Sequence, residues 1–146
     1  MLRREQWPWL FPLTYAFHIA EEYAAGFPRW LAAVSSARLS DQDFLSINAI
    51  AMLVMIVAVT ISVSGVARWP LVALATVVTA NAVLHIGGTI MTFYSPGAIT
   101  GTLLWLPLGL FTLGRLRAEV RPGPYAAAVA AGLAAHALIS AIAILG

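Results

Sequence analysis

At 146 residues, with 61% hydrophobic and 10% charged residues, the chain is too apolar for a soluble domain, since such domains carry about 45–50% apolar and about 25% charged residues. All eight basic residues are arginines in short connections between apolar stretches, which is typical of topology signals and excludes a nucleic-acid-binding face. The absence of cysteine excludes disulfides, thiolate metal sites and a cysteine nucleophile. The composition therefore predicts one membrane domain over residues 1–146.

Five apolar stretches are long enough to cross a bilayer core of about 30 Å, which needs about 20 helical residues. In chain order, the predicted spans are 7–27, 44–66, 70–93, 98–116 and 125–145. Pro28, Pro70 and the run Arg121-Pro122-Gly123-Pro124 separate them, because proline interrupts a helix. The fourth stretch is short and carries Pro107, so it could be kinked or re-entrant. The predicted fold is an all-α, polytopic membrane bundle.

The arginines orient this bundle. Six fall on one side of the five-span arrangement and two on the other. The six are Arg3, Arg4, Arg68, Arg115, Arg117 and Arg121, and the two are Arg29 and Arg38. Because basic loops stay in the cytoplasm, we predict a cytoplasmic N-terminus. The composition of residues 28–39 predicts a short helix that lies in the outer interface of the membrane. The spacing of Gly97 and Gly101 permits close helix contact, either within the chain or in a homo-oligomer.

Several polar residues lie inside the predicted spans, where an ionisable group costs about 2.5–3.5 kcal/mol on insertion scales. His18, Glu21 and Glu22 stand at i, i+3 and i+4 of the first span, which puts them on one helix face. A rise of about 1.5 Å per residue places polar groups from four spans in one layer. These groups are His18, Glu21, Glu22, Asn48, His85 and His136, and Asn81 lies one turn before His85 on the third span. The sequence therefore predicts one shared polar site inside the membrane.

Three landmarks carry a family resemblance. His18-Ile19-Ala20-Glu21-Glu22 resembles the His-x-x-Glu-Glu signature of the HXXEE family of small bacterial membrane proteins. Asn81-Ala82-Val83-Leu84-His85, and Tyr94-Ser95-Pro96-Gly97 followed by Thr100, are similar to the family's other landmarks. The resemblance implies a multi-span fold in a bacterial inner membrane and an enzymatic role, without naming a substrate. His136 is outside this pattern, so its inclusion depends on depth alone.

Imidazole and carboxylate ligands suit a divalent metal such as zinc, iron or manganese. We therefore predict a membrane enzyme that uses Glu and His acid–base chemistry, assisted by a metal, on a lipophilic or membrane-associated small molecule. The predicted metal ligands are His18, Glu22, His85 and His136. The predicted catalytic residues are His18, Glu21, Glu22, Asn81 and His85, and the predicted substrate or lid residues are Asn48, Tyr94 and Ser95.

Other functions remain open on the same residues. A buried Glu beside a His is a proton donor–acceptor pair, which suits a metal-free isomerase or cyclase. Buried Glu and His side chains also relay protons in small proton-coupled transporters. Two of the three histidines could instead hold a haem in an electron carrier. In a purely structural role, the polar groups would only join helices, at about 0.6–2 kcal/mol for each hydrogen bond.

Overall fold

The computed structural model describes residues 5–145, and the chain in this range forms helices without a β-strand. A 3₁₀ turn at Trp7–Trp9 leads into the first helix. The helices are α1 (Leu10–Ala24), α2 (Phe27–Val34), α3 (Asp41–Val63), α4 (Trp69–Thr92), α5 (Ala98–Leu116) and α6 (Pro122–Leu145). The predicted all-α membrane bundle is confirmed. Arg3 and Arg4, which contributed to the predicted orientation, lie outside the described residues.

Four of the described helices, α3 to α6, are long and apolar enough to cross a membrane, one fewer than the five spans predicted. Helix α1 has 15 residues, which is about 22 Å of helix and too short to cross a core of about 30 Å alone. Gly26 adopts a left-handed conformation, with φ of 74°, and Pro28 stands in the first turn of α2. This glycine–proline break ends the first apolar stretch earlier than predicted.

Local signals set the other helix boundaries. The Ser40 hydroxyl accepts a hydrogen bond from the backbone N–H of Asp43 at 3.1 Å, so α3 begins at Asp41, before the predicted start at residue 44. Helix α6 begins at Pro122, because proline suits the first helical position. The short helix expected within residues 28–39 is present as α2.

Helix α4 forms the centre of the bundle and contacts α3, α5 and α6. In α4, 44% of the apolar segment that could cross the membrane is buried inside the protein, whereas the share in α6 is 11%. Helix α6 packs closely against α4 at Gly132, because glycine has no side chain there. A Cβ atom added to Gly132 would lie only 2.6 Å from the carbonyl oxygen of Ala73 on α4. Helix α1 packs against α3 and the start of α5. Faces of α1, α4 and α5 therefore meet in the interior.

A charged cluster joins three segments at one end of the bundle. The Glu5 carboxylate pairs with Arg68 and with Arg115. Glu119 pairs with the same two arginines, at 3.7 and 3.6 Å. The segment before α1, the α3–α4 connection and the α5–α6 connection therefore share this end.

Candidate metal centre

Three buried side chains converge where α1 meets α4. Nε2 of His85 lies 3.2 Å from Oε1 of Glu22, and Nε2 of His18 lies 3.6 Å from the same oxygen. One ligand atom from each residue lies within 4.8 Å of the other two. The residues are only 1% (His18), 5% (Glu22) and 5% (His85) exposed. The i, i+4 spacing in α1 accounts for the pairing of His18 with Glu22, and α4 supplies the third group.

The separations of Oε1 of Glu22 from the two Nε2 atoms fit a divalent metal. Two ligand atoms at about 2.1 Å from one zinc ion, at the tetrahedral angle, lie about 3.4 Å apart. The separations of 3.2 and 3.6 Å fall on either side of that value. Two imidazoles and one carboxylate are also the protein ligands of catalytic zinc sites that keep an open position, and of non-haem iron sites.

A hydroxyl group fixes the proton on His18. Nδ1 of His18 lies 2.8 Å from the Thr100 hydroxyl oxygen, and this hydroxyl donates to Oε2 of Glu21 at 2.6 Å. Because its single proton points to Glu21, the Thr100 oxygen accepts from His18. We therefore assign the His18 proton to Nδ1, which leaves a bare lone pair on Nε2 facing Glu22.

Ser95 orients the second imidazole. Its hydroxyl lies 3.0 Å from Nδ1 of His85, and its backbone N–H donates to the Thr89 hydroxyl at 3.1 Å. Ser95 is fully buried in the turn between α4 and α5. The sequence predicted Ser95 as a lid or substrate residue, and the structure places it against His85, one of the candidate ligands.

Glu21 caps the start of α5. Its carboxylate accepts hydrogen bonds from the backbone N–H groups of Gly97, Ile99 and Thr100, at 3.2, 3.1 and 2.8 Å. The Tyr94 hydroxyl also donates to it, at 3.3 Å. N–H groups in the first turn of a helix have no partner within the helix, so a carboxylate there is stabilising. The geometry thus favours a positioning role for Glu21 over the predicted role in catalysis.

Gly97 closes this turn directly over the centre. Its φ is 92°, a conformation that residues with side chains rarely adopt. A Cβ atom at this position would lie 2.8 Å from Cε1 of His18, 2.8 Å from Cε1 of His85 and 3.0 Å from Cγ of Glu22. The predicted lid turn is therefore in contact with all three candidate ligands.

An aromatic stack borders His18. Trp105 ends a π-helical stretch of α5, Gly101–Trp105, and its ring lies 3.8 Å from the His18 ring between centroids. Tyr15 stacks on Trp105 at 5.6 Å and donates to Oδ1 of Asn48 at 2.6 Å. Asn48, a predicted substrate or lid residue, is therefore held by Tyr15 and does not join the ligands.

The prediction missed Trp105 and gave Thr100 no role in the site. One signal for Trp105 was available, because it lies inside a predicted span while the other four tryptophans lie near predicted span ends. The role of Thr100 follows from a contact across helices, which sequence spacing does not show.

The two remaining candidates differ in position. Asn81 lies beside His18, one turn before His85 on α4. His136, a predicted metal ligand, is not among the residues whose ligand atoms lie within 4.8 Å of one another. Gly132, one turn before His136, packs against Ala73 and Thr76, more than two turns of α4 before His85. His136 nevertheless lies close enough to His85 to interact with it electrostatically.

Comparison with known proteins gives one family and no individual relative. Neither the comparison with curated proteins nor that with solved structures gives a significant match. A family model described as a protein of unknown function with HXXEE motif matches residues 9–112. The matched region contains the residues that build the centre, namely His18, Glu21, Glu22, His85, Ser95, Gly97, Thr100 and Trp105. The chain therefore belongs to the HXXEE family, as the resemblance of its motifs predicted.

Proposed function

We propose that this protein is a membrane enzyme with one divalent metal ion, zinc, iron or manganese, bound by His18, Glu22 and His85. Its substrate is a lipophilic or membrane-associated small molecule. The observation that carries the proposal is the 3.6 Å approach of the bare Nε2 lone pair of His18 to Oε1 of Glu22. Two acceptors at this distance repel each other in a low-dielectric interior unless a cation lies between them.

The surrounding residues support ligation by these three groups. Thr100 and Ser95 contact the Nδ1 atoms of His18 and His85, an arrangement that aims the Nε2 atoms of both rings at Glu22. Outer partners of this kind orient metal-bound histidines and raise their basicity. Phe27 lies against His85, with ring centroids 5.9 Å apart, and Trp105 covers His18. These rings shield the centre from water.

The proposed chemistry divides between the metal and Glu22. A bound divalent metal polarises an oxygen atom of the substrate or of water. Both imidazoles contact Oε1 of Glu22, which leaves Oε2 to take up or deliver a proton. Glu21 stays on the turn through its hydrogen bonds to Gly97 and Thr100, so two adjacent carboxylates serve different purposes.

A metal-free isomerase or cyclase is the second candidate. Its support is the distance of 3.2 Å between Nε2 of His85 and Oε1 of Glu22, which lets the pair share a proton directly. A bis-His haem is less compatible with the rings of His18 and His85, because their centroids are 5.0 Å apart and Glu22 contacts both. A proton-coupled transporter shares the residues and is distinguished below by experiment.

We place the protein in a bacterial inner membrane with its N-terminus in the cytoplasm. The contacts of Glu5 with Arg68 and Arg115 support this orientation, because they group the arginine-rich connections with the N-terminal segment. The opposite side carries Arg29 and Arg38, and the more basic side faces the cytoplasm.

Metal analysis of the purified, detergent-solubilised protein tests the centre. We expect one zinc, iron or manganese ion for each chain after loading and removal of unbound metal. Glu22→Gln, His18→Ala and His85→Ala should each lose the ion while retaining the parent's helical circular dichroism. His136→Ala is the matched control, since it removes a histidine of the bundle that lies outside the group. Parent-level metal in both Glu22→Gln and His18→Ala would refute the assignment.

A comparison of lipid products tests for enzyme activity. Protein reconstituted in nanodiscs with a bacterial lipid extract is incubated with and without added metal, and the lipids are analysed by mass spectrometry. We expect a product that forms with the parent and His136→Ala proteins and not with Glu22→Gln. A proton-coupled transporter would instead give flux into sealed vesicles that depends on Glu22 and leaves the lipophilic molecules chemically unchanged.

A further inference from the structure

Within residues 5–145, four buried side-chain polar atoms have no hydrogen-bond partner, and three of them belong to residues at one imidazole ring. The three are Nε2 of His18, Oδ1 of Asn81 and Nε1 of Trp105. Buried polar atoms in proteins almost always have a partner, and a membrane offers little water to supply one. The proposed ligation already gives Nε2 of His18 a partner, so Oδ1 of Asn81 and Nε1 of Trp105, on two residues next to the same ring, indicate a place where a further polar group binds.

Trp105 supplies the donor. Its side chain is almost fully buried, at 2% exposure, and its ring is stacked on His18 with an interplanar angle of 28°. An indole N–H donates and cannot accept. The π-helical stretch Gly101–Trp105 changes the direction in which this side chain leaves α5, and such stretches are frequent at functional sites.

Asn81 supplies the acceptor. It lies one turn before His85 on the central helix, and its side chain is close enough to the His18 imidazole for a hydrogen bond. The His18 proton is held on Nδ1 by the Thr100 hydroxyl, so Nε2 has no proton to donate to Asn81. The carbonyl oxygen of Asn81 and the Nε2 lone pair of His18 are thus two acceptors, and the N–H of Trp105, whose ring stacks on His18, is a donor.

We propose that an O–H group binds beside His18, accepting a hydrogen bond from Nε1–H of Trp105 and donating one to Oδ1 of Asn81. A hydroxyl group can do both at a single oxygen, whereas an ether or a carbonyl only accepts. The group belongs either to a lipophilic alcohol or to a water molecule at the same position. This inference rests on the proposed function, because it names the group that the same centre binds, although neither hydrogen bond requires a metal.

The indole ¹H–¹⁵N resonance of Trp105 reports on its hydrogen bond and provides the test. Spectra of the full chain in nanodiscs are compared with those of Trp105→Phe, whose missing peak assigns the resonance. The probes are 1-octanol, methyl octyl ether and octane. We expect 1-octanol to shift the resonance downfield and to saturate. The ether should bind about tenfold more weakly, because it leaves Asn81 without a donor, and octane should leave the resonance unmoved.

A pair of variants on α4 completes the experiment. Asn81→Leu should lower the affinity for 1-octanol about tenfold. Val83→Ala, on an exposed position of the same helix, should keep the parent affinity. Water is the O–H group if 1-octanol does not shift the Trp105 resonance but the Trp105 N–H shows a cross-peak to water that Asn81→Leu removes. The proposed hydrogen bonds to Trp105 and Asn81 are then still supported.

The inference is overturned if the Trp105 resonance is the same in the parent and in Asn81→Leu and no probe moves it. It is also overturned if 1-octanol and the ether bind equally well, a comparison that needs no variant. Metal content is measured on the same samples. A metal-free protein whose Trp105 resonance shifts with 1-octanol contradicts the metal assignment alone. A metal-loaded protein whose Trp105 resonance shifts with no probe and shows no cross-peak to water contradicts this inference alone.

Discussion

Gly97→Ala adds one methyl group where the turn meets the three candidate ligands. The new Cβ atom would lie 2.8 Å from both imidazole Cε1 atoms and 3.0 Å from Cγ of Glu22, closer than a Cβ atom tolerates. Overpacking of this kind costs about 1–3 kcal/mol, and the positive φ of 92° costs a residue with a side chain about 1–2 kcal/mol more. We therefore expect the free energy of unfolding to fall by about 2–5 kcal/mol.

Gly65→Ala separates these two contributions. Gly65 also has a positive φ, of 84°, but no atom lies within 4 Å of a Cβ added there. It should therefore lose only the backbone part, about 1–2 kcal/mol. Denaturant unfolding of the purified proteins gives both values, and chelator competition gives the metal affinity, which should fall for Gly97→Ala alone. Equal stability and equal metal affinity in the two variants would refute contact between the turn and the centre.

Two further predictions concern the hydroxyl that holds His18 and the charged cluster at the other end of the bundle. Thr100→Val removes that hydroxyl, so the metal affinity measured by chelator competition should fall about 10–100-fold. Thr102→Val, at an exposed position of the same helix, is the control. Equal metal affinities in the two variants would contradict the role of Thr100. The pKa of Glu5 lies below its ordinary value of 4.5, because its carboxylate accepts from the Trp7 indole N–H and lies beside two arginines. This stabilisation is present above pH 4.5 and is lost as pH falls through the lower folded-state pKa. The difference in Tm between parent and Glu5→Gln should therefore shrink as pH falls from 6 to about 3, and a constant difference would contradict it.

Hydropathy was sufficient to find the long helices and insufficient to end the first one. Residues 23–27, which follow the two glutamates, are apolar, so hydropathy averaged along the chain extends the first span through Phe27. The helix stops at Ala24 because Gly26 takes a left-handed conformation and Pro28 starts a new helix. A backbone break made by one glycine leaves almost no mark on mean hydropathy.

Spacing and depth were sufficient for part of the site. The separation of His18 and Glu22 fixes their common face, and the depth of His85 brings it to the same layer. Depth alone does not decide whether His136 joins the other three residues, because it does not specify where the close contact at Gly132 sets α6 along α4. Trp105 was missed for a related reason, since a π-helical stretch changes which face of α5 a residue occupies.

The five-residue signature places two candidate ligands and the residue that supports them on one turn of helix. The i, i+4 pair of His18 and Glu22 meets His85 on the inside. Glu21, at i+3, reaches the first turn of α5 and fixes Thr100. The Thr100 hydroxyl also contacts Nδ1 of His18, so the Glu21 carboxylate controls the proton on the first candidate ligand. The two adjacent glutamates thus have different surroundings, because Glu22 faces His18 and His85 and Glu21 faces the turn.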